Sequence, residues 1–498
     1  MRSKLSRVAR VGGALLLLSF IAAYAVWRPL QLSGPPMTDF SAYYSAGRSW
    51  SHGIDPYGTG IWSVERLLPG ADPSREELLP YVGPPLSLPL WALLGTLPYQ
   101  AACAVWGVVV AACAGLILVV PAVLAGRRLS RGDAVLLLLL GVASGPLIDG
   151  VSLGQAALPA SAAVDVAILC LVRGRFAWAA LAAIVGAALK PNVVIVLAAA
   201  LRGVADSLTL AASGVVYALA NVPFAGGFHG LARYLGMLSH QGGSERFYAY
   251  QMTPTAIAFG FGMSRHAAAL TGDAVALTAV ALTILAIVRT RARCIDAAAI
   301  ACAAFPFVVP YEHEPDMAVA FLPALIVIFR ARGGTWAAGA LGTVLLATDP
   351  FGLAQGRPGL AFSLVTATVV ALQLLALASR RVGRLRFVPL AAVAVVAVVG
   401  FFGPPSRLPM WPAALPQHVA VAPNSSANAI WHDEIVASGL ETERPWASTL
   451  RLLTLAGCVA IGVAMTRVAA ETERAPDEAR GLAVPLAYGR RTRPAEGA

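Results

Sequence analysis

Charged residues are scarce in this chain of 498 residues, and lysine is almost absent. Only 13% of the side chains are charged and 58% are hydrophobic, which leaves too little charge to cover a soluble protein of this length. The chain also lacks a Walker A loop, a Gly-x-Ser-x-Gly elbow and a His-Glu-x-x-His helix, which excludes the common soluble enzyme classes. These absences favour a protein whose solvent is the lipid bilayer.

Cysteine and charge patterns exclude two further classes. The six cysteines lie inside or at the ends of apolar runs and form no Cys-x-x-Cys motif, so neither a disulfide framework nor a metal cluster is expected. The formal net charge of +11 comes from arginines grouped in short clusters between apolar runs. That pattern indicates membrane topology and gives no reason to expect a nucleic acid partner.

Continuous apolar runs predict an all-α, polytopic integral membrane protein. Runs such as 11–27, 101–124 and 267–288 approach or exceed the roughly 20 residues that a helix needs to cross a bilayer. We expect about 12 to 14 transmembrane helices in a single domain over residues 1–470, followed by a polar cytoplasmic tail at 471–498. The alternative for the first run is a cleaved signal peptide, because basic residues precede it.

Arginine clusters in short loops mark the cytoplasmic side. They predict a cytoplasmic N-terminus and three long outer segments, 28–100, 225–266 and 404–446. The apolar stretch 84–97 is short and rich in proline, so we expect a re-entrant helix on the outer side. Keeping the neighbouring arginine clusters on the cytoplasmic side also predicts two short helices that meet at Lys190. The other crossings are expected near 133–148, 155–172, 206–224, 267–289, 294–309, 317–330, 335–348, 360–379, 387–403 and 447–467.

The first outer loop carries a candidate catalytic carboxylate. Asp39, Tyr43 and the pair Ala46-Gly47 recur at helical spacing, so a short helix along the membrane surface would present them on one face. The alternative is that Asp39 only caps this helix.

Lys190 is one of only two lysines among 37 basic residues, the other being Lys4. A compact ammonium between two apolar helices suggests an anionic partner such as phosphate. The alternative is a lysine that anchors a short helix end at the membrane surface.

Tyr311-Glu312-His313-Glu314-Pro315-Asp316 is a dense ionisable cluster at a predicted outer helix mouth. Six consecutive residues with a proline cannot all face one ion, so no metal site is expected. The cluster would position sugar hydroxyls or a phosphate, or it is a solvated turn. Gln155 begins a crossing from outside, where it binds substrate or bonds a helix end. Asp165 lies deep in that crossing and should have a partner.

These motifs together resemble glycosyltransferase family 87. The resemblance rests on Asp39-Phe-x-x-Tyr43-x-x-Ala46-Gly47 with Gly53-x-x-Pro56-Tyr57, then Tyr81-x-x-Pro84-Pro85, Gly154-Gln155, Leu189-Lys190-Pro191 and Pro310-Tyr311 with Asp316, in this order over roughly residues 30–330. The family is the polyprenyl-phosphate-mannose-dependent mannosyltransferase-like group with the C-superfamily membrane fold. Whether His313 or Asp316 matches the last motif stays open.

The resemblance implies inverting transfer of a sugar, typically mannose, from a polyprenyl-phosphate donor to a glycan, glycolipid or protein acceptor, without a cofactor. It implies Asp39 as general base, and Lys190 with His313 as the donor phosphate-binding residues. The implied substrate-binding residues are Tyr43, Tyr81, Gln155, Tyr311, Glu312 and Asp316. The active site would be extracytoplasmic in a plasma membrane of bacterial type. A transporter or flippase of a lipid-linked glycan is the main alternative, and a non-catalytic assembly subunit is the third.

Overall fold

The computed structural model describes residues 36–71, 78–201, 203–348, 357–378, 380–402 and 425–474. Within those ranges every regular element is a helix, apart from an isolated bridge between Gly58 and Ser426. The predicted all-α class is confirmed. The predicted first crossing, 11–27, and the end of the tail, 475–498, lie outside the described residues.

Twenty α-helices occur in the described ranges. They are α1 (Thr38–Ser51), α2 (Trp62–Glu65), α3 (Leu88–Gly95), α4 (Tyr99–Leu124), α5 (Arg131–Val142), α6 (Gly145–Leu153), α7 (Ala157–Val172), α8 (Phe176–Leu189), α9 (Pro191–Val194), α10 (Val204–Phe224), α11 (Phe228–Ser244), α12 (Pro254–Gly260), α13 (Arg265–Arg289), α14 (Cys294–Val308), α15 (Phe321–Arg330), α16 (Gly333–Ala347), α17 (Arg357–Leu377), α18 (Val388–Phe402), α19 (Ala427–Ala437) and α20 (Pro445–Arg474). Five 3-10 segments add Thr59–Ile61, Pro85–Ser87, Ile195–Ala200, Glu314–Ala320 and Arg380–Phe387.

Five of the described helical segments are long and apolar enough to cross a membrane: α4, α10, α13, α20 and Val382–Phe402, which includes α18. The pair α5 and α6, bent by 69°, adds a sixth if it is counted as one crossing. Helix α13 illustrates the membrane character, because it leaves Leu277 and Val288 largely exposed and buries only Ala268 and Gly272. Apolar side chains can stay exposed in this way when the surrounding solvent is lipid.

Polar contacts join several helix ends near the predicted cytoplasmic arginine clusters. Arg330 donates to Asp296 at 2.8 Å and to the carbonyl of Leu124 at 2.5 Å, which ties together the ends of α15, α14 and α4. Arg291 lies 3.6 Å from Glu473 near the end of α20. We call this group of helix ends the arginine end of the bundle.

The opposite end gathers the predicted outer segments. Helix α4 has 26 residues and is therefore about 39 Å long. Its first residue, Tyr99, donates its hydroxyl hydrogen to the carbonyl of Pro36, beside the start of α1. At this end Leu86 donates to Asn221 of α10 at 2.9 Å, and Arg265 of α13 pairs with Glu441 at 2.8 Å.

The chain turns sharply at Lys190, as the sequence predicts. Helix α8 ends at Leu189, Lys190 has an extended backbone with φ of −154°, and Pro191 begins the next short helix. A Cβ built on Gly186 would lie 3.0 Å from the side chain of Val194. In a straight helix, residues eight apart are separated by about 12 Å along the axis, so α9 folds back against α8.

The predicted re-entrant stretch 84–97 consists of the 3-10 turn Pro85–Ser87 and helix α3. Helix α3 packs directly on α1, because Gly47 lets the two backbones touch. A Cβ on Gly47 would lie 2.2 Å from the backbone carbon of Trp91. This close approach gives the Ala46-Gly47 motif a structural reason.

Two predicted loops contain helices that the sequence analysis missed. The segment 225–266 holds α11 and α12, and the segment 404–446 holds α19. Helix α20 continues to Arg474, so the predicted tail begins as helix.

Replacing Gly47 by alanine should lower the free energy of unfolding by about 1–3 kcal/mol, because the methyl group must displace the backbone of Trp91. Gly115→Ala in α4 is the matched control, since a Cβ there meets no atom within 4 Å. Alanine favours a helix, so this control should keep or slightly raise stability. Thermal unfolding of the detergent-solubilised variants compares them, and equal unfolding temperatures would contradict the close packing.

Candidate active site

Asp39 lies in the first turn of α1 and bonds another element instead of capping its own helix. Its Oδ2 accepts a hydrogen bond from Nε2 of Gln155 at 2.5 Å, and no side chain caps the start of α1. The capping alternative is therefore wrong. Tyr43, one turn later, donates from its hydroxyl to Oε1 of Gln155 at 3.0 Å. Gln155 thus joins two α1 side chains that the sequence predicts on one face.

Gly154 places Gln155 beneath α1. It ends α6 in the left-handed conformation, with φ of +70°, and a Cβ there would lie 2.7 Å from Cβ of Phe40. Only glycine combines this backbone with so close a contact. Trp106 of α4 donates to the carbonyl of Gly154 at 2.7 Å and holds the turn. The Gly154-Gln155 motif is therefore a turn that aims one amide at Asp39.

Burial raises the pKa of the Asp39 carboxyl from 3.8 to about 6. The hydrogen bond from Gln155 and the positive charge of Lys190 lower the pKa, and the negative charge of Asp316 raises it. A carboxyl with this pKa is mostly ionised at neutral pH and can still accept a proton readily.

Lys190 pairs with Asp316. Its Nζ lies 2.5 Å from Oδ1 of Asp316, whose side chain is fully buried, while that of Lys190 keeps 12% of its surface exposed. The other Asp316 oxygen accepts the backbone N–H of His313 at 3.0 Å. One carboxylate therefore holds both the lysine at the α8 turn and the loop that begins the 3-10 segment Glu314–Ala320.

The predicted tyrosines divide into two roles. Tyr43 is partly exposed and stacks on Trp91 with ring centroids 4.9 Å apart. Tyr81 is fully buried, and its hydroxyl bonds Ser87 at 2.6 Å. Tyr81 therefore supports the wall behind Tyr43 and has no surface left for a substrate, contrary to the expectation from sequence.

The predicted cluster at residues 311–316 contains both partly exposed and buried side chains. Tyr311 and His313 are partly exposed, whereas Glu312 is buried with no hydrogen-bond partner for its carboxyl oxygens in the described structure. Burial raises the pKa of Glu312, which favours its neutral form. The solvated-turn alternative is wrong, because the cluster packs into the protein. No group of three or more His, Cys, Asp or Glu residues in the described ranges could hold a metal ion.

A buried polar network behind His313 was missed by sequence reasoning. Glu245 accepts hydrogen bonds from Gln241, Gln251 and Trp431 at 2.5, 2.7 and 2.8 Å. Burial raises the pKa of Glu245 to about 7, while the bond from Trp431 lowers it. The residues lie in predicted loops, without a motif that could have marked them.

Arg451 of α20, a helix long enough to cross the membrane, also bonds to this network. It is almost fully buried and donates to the carbonyl of Gln251 at 2.6 Å. Asp165, by contrast, is buried in α7 and makes no hydrogen bond or ion pair with the described residues, although the sequence analysis expects a partner.

A sequence model of glycosyltransferase family 87 matches residues 81–310. This match supports assignment to glycosyltransferase family 87. Together with the apolar helices, the match indicates a membrane glycosyltransferase. No curated protein and no solved structure matches it. The matched region contains Gln155, Lys190 and Glu245, whereas Asp39 precedes it and Asp316 follows it.

Lys190→Met should destabilise the enzyme by about 3 kcal/mol, because it leaves the Asp316 carboxylate buried without its counter-charge. The double variant Lys190→Met with Asp316→Asn should recover much of that loss, since it removes the charge on both sides. Thermal unfolding of the wild type, of Lys190→Met, of Asp316→Asn and of the double variant measures the coupling. Additive losses would show that the two residues are not a buried ion pair.

Proposed function

We propose that this glycosyltransferase moves a sugar from a polyprenyl-phosphate donor to an acceptor hydroxyl with inversion, using Asp39 as the general base. The observation that carries the proposal is the site itself. The partly exposed carboxylate of Asp39 has a pKa of about 6 and accepts a hydrogen bond from Gln155. The positive charge of Lys190, which is paired with Asp316, lowers that pKa. A base and a phosphate-binding cation are what this transfer needs.

In the proposed step Asp39 takes the proton from the acceptor hydroxyl as its oxygen attacks the anomeric carbon. A bond forms between that oxygen and the anomeric carbon, and the bond from the anomeric carbon to the phosphate oxygen breaks. The leaving phosphate keeps the electron pair, so it needs a nearby positive charge more than a general acid. A single carboxylate suffices, since no covalent sugar intermediate forms.

The charge of the site favours a donor with one phosphate. Lys190 is the cation that lowers the pKa of Asp39, Glu245 and Glu312, and it already faces Asp316. A phosphodiester carries one negative charge, whereas a nucleotide diphosphate sugar carries two and calls for further cations or a metal. This supports a polyprenyl monophosphate donor. Mannose as the sugar rests on the family resemblance.

We further propose the C-superfamily fold, with about 12 to 14 crossings and an extracytoplasmic site in the plasma membrane. The grouping of the helix ends supports this orientation. Residues beside four arginine clusters meet at the arginine end, and Asp39, Lys190, Glu245 and Asp316 meet at the other. Short basic loops mark the cytoplasmic side, which leaves the site outside. A glycan, glycolipid or protein would be the acceptor.

Asp39→Asn should lower kcat by about 10²- to 10⁴-fold, because the amide cannot accept the acceptor's proton. Donor binding should persist. In the wild type, kcat/KM should be level above pH 6 and fall about tenfold per pH unit below it, as the Asp39 carboxyl becomes protonated. Transfer from radiolabelled polyprenyl-phosphate sugars in reconstituted membranes measures both.

Gln155→Leu provides the control for this pH dependence. It removes a hydrogen bond that lowers the pKa of Asp39, so the midpoint should move above pH 6. An unshifted midpoint, or full activity of Asp39→Asn, would exclude Asp39 as the base. Transfer from no labelled donor would overturn the proposed function and favour a transporter.

The double variant Lys190→Met with Asp316→Asn should raise the donor KM by about 10- to 100-fold, because a charged hydrogen bond to the phosphate is lost. Asp316→Asn alone keeps the ammonium and should bind donor at least as well as the wild type. Initial rates at varied donor concentration give both constants. An unaltered KM in the double variant would contradict the phosphate role of Lys190.

A further inference from the structure

Helix α11 begins where a membrane crossing ends. Helix α10 has 21 residues and is therefore about 32 Å long, close to the roughly 30 Å thickness of the hydrocarbon core. Its last residue, Phe224, packs edge-on against Trp50 of α1, with ring centroids 6.2 Å apart. Aromatic side chains collect at the level of the lipid headgroups. The start of α11, four residues after Phe224, therefore lies near the membrane surface.

The chain turns sharply between α10 and α11. Gly226 and Gly227 make this turn with φ of +76° and +98°. A Cβ built on Gly230 would collide with the carbonyl oxygen of Ala225, the residue that ends α10. The first turn of α11 therefore rests directly on the end of the crossing.

One face of α11 packs on the protein. Its buried residues are Gly230, Tyr234 and Gln241, whose spacing brings them to one side of the helix. The rings of Tyr234 and Tyr57 have centroids 5.3 Å apart. Burial and then the charge of Tyr217 on α10 raise the pKa of Tyr234, so these two tyrosines are close. A straight continuation of α10 would separate them by about 26 Å, so α11 lies across the end of the bundle.

A second face of α11 is apolar and largely exposed in the described part of the chain. Phe228, Leu231 and Leu235 recur at i, i+3 and i+7, so they share one side of the helix. Phe228 is 74% exposed and Leu235 is 58% exposed. On the crossing α10, Val215 and Leu219 are exposed to a similar extent, at 60% and 59%. The apolar face of α11 therefore has the character of a surface that lipid covers.

A third face carries basic side chains. His229, Arg233 and His240 lie at i, i+4 and i+11, on the side away from the apolar face, and all three are exposed. Arg233 lies 3.7 Å from Asp55, and both side chains are more than half exposed. An ion pair of that kind contributes little stability, so the guanidinium stays available to another anion.

We propose that α11 is a membrane-surface helix, with its apolar face among the acyl chains of the adjacent leaflet and its basic face at the anionic headgroups. An apolar face and a basic face on one helix are typical of helices that lie in the membrane interface. The position of α11 at the end of a crossing favours lipid over a second copy of the chain. The inference goes beyond the proposed function, since it holds whichever sugar the protein moves.

The membrane contact also fixes the level of the polar network in the site. Gln241, on the buried face of α11, donates to Glu245 at 2.5 Å, and Glu245 accepts from Gln251. The carbonyl of Met237 accepts from Asn428 of α19 at 3.1 Å. A helix held by lipid on two sides keeps this network at the level of the headgroups, where the phosphate of the proposed donor lies.

Spin labels measure how α11 meets the membrane. The full-length variants Phe228→Cys, Leu235→Cys and His240→Cys are labelled in vesicles of phosphatidylcholine and phosphatidylglycerol. The signal of the six native cysteines is measured on the wild type and subtracted. Labels at positions 228 and 235 should collide more with oxygen than with a water-soluble nickel complex, because oxygen concentrates in lipid. The label at position 240 should show the reverse.

The depth of the labels separates a surface helix from a crossing. Labels at positions 228 and 235 should lie about 5–10 Å into the headgroup and acyl boundary. Leu277→Cys, in the middle of α13 and largely exposed, is the control and should report a greater depth. Greater access of nickel at both apolar positions, or shielding of both from oxygen and nickel, would overturn the proposal.

Photo-cross-linking identifies what covers the apolar face. Benzoylphenylalanine replaces Leu235 in the full chain, in vesicles with equal amounts of phosphatidylcholine and phosphatidylglycerol. Mass spectrometry should find lipid adducts enriched in phosphatidylglycerol. Arg233→Gln should lower the ratio of phosphatidylglycerol to phosphatidylcholine adducts about fivefold, the equivalent of the roughly 1 kcal/mol with which one basic residue attracts an anionic surface.

Arg66→Gln is the matched control, because it removes an exposed arginine just after α2 and should leave the adduct ratio unchanged. Adducts with protein instead of lipid, or an equal ratio in Arg233→Gln and the wild type, would overturn the proposal. Neither measurement requires sugar transfer. Lipid adducts in a protein that transfers no sugar would support the surface helix and overturn the proposed function alone.

Discussion

The ion pair between Lys190 and Asp316 is the interaction on which the rest of the site depends. It joins the turn after α8 to the loop that precedes α15, and the second oxygen of Asp316 fixes the backbone of His313. A lysine and a fully buried aspartate are costly alone in a low-dielectric interior, and each makes the other tolerable. The pair also brings a positive charge close enough to lower the pKa of Asp39 and Glu245.

Around this pair the site has two layers with different tasks. The front layer, Asp39, Tyr43, Lys190, Tyr311 and His313, is partly exposed. The back layer, including Gln155, Gln251 and Glu245, is buried and bonds the front side chains. Polar groups in a buried layer are stable only when their hydrogen bonds are satisfied, so each front residue has a fixed direction. Such preorganisation matters for a reaction whose substrate brings its own leaving group.

Much of the front layer could be predicted from sequence, for identifiable reasons. Helical spacing placed Asp39 and Tyr43 on one face, and the rarity of lysine marked Lys190. The prediction that residues 311–316 form a solvated turn was wrong, and Tyr81 is fully buried behind the site. Sequence could not show either, because burial depends on which residues pack over a side chain. Glu245, Gln251, Trp431 and Arg451 were missed, since their bonds cross about 60 to 200 residues of chain and no local pattern records them.

The sequence by itself determined that this protein is helical, that lipid surrounds it and that its helices break at Lys190. Those properties follow from composition and local pattern, since a long apolar run must satisfy its own backbone as a helix. Only the tertiary structure decided which carboxylate faces the lysine and that Asp39 bonds Gln155. These contacts depend on distances between segments remote in the chain, which no local sequence pattern records.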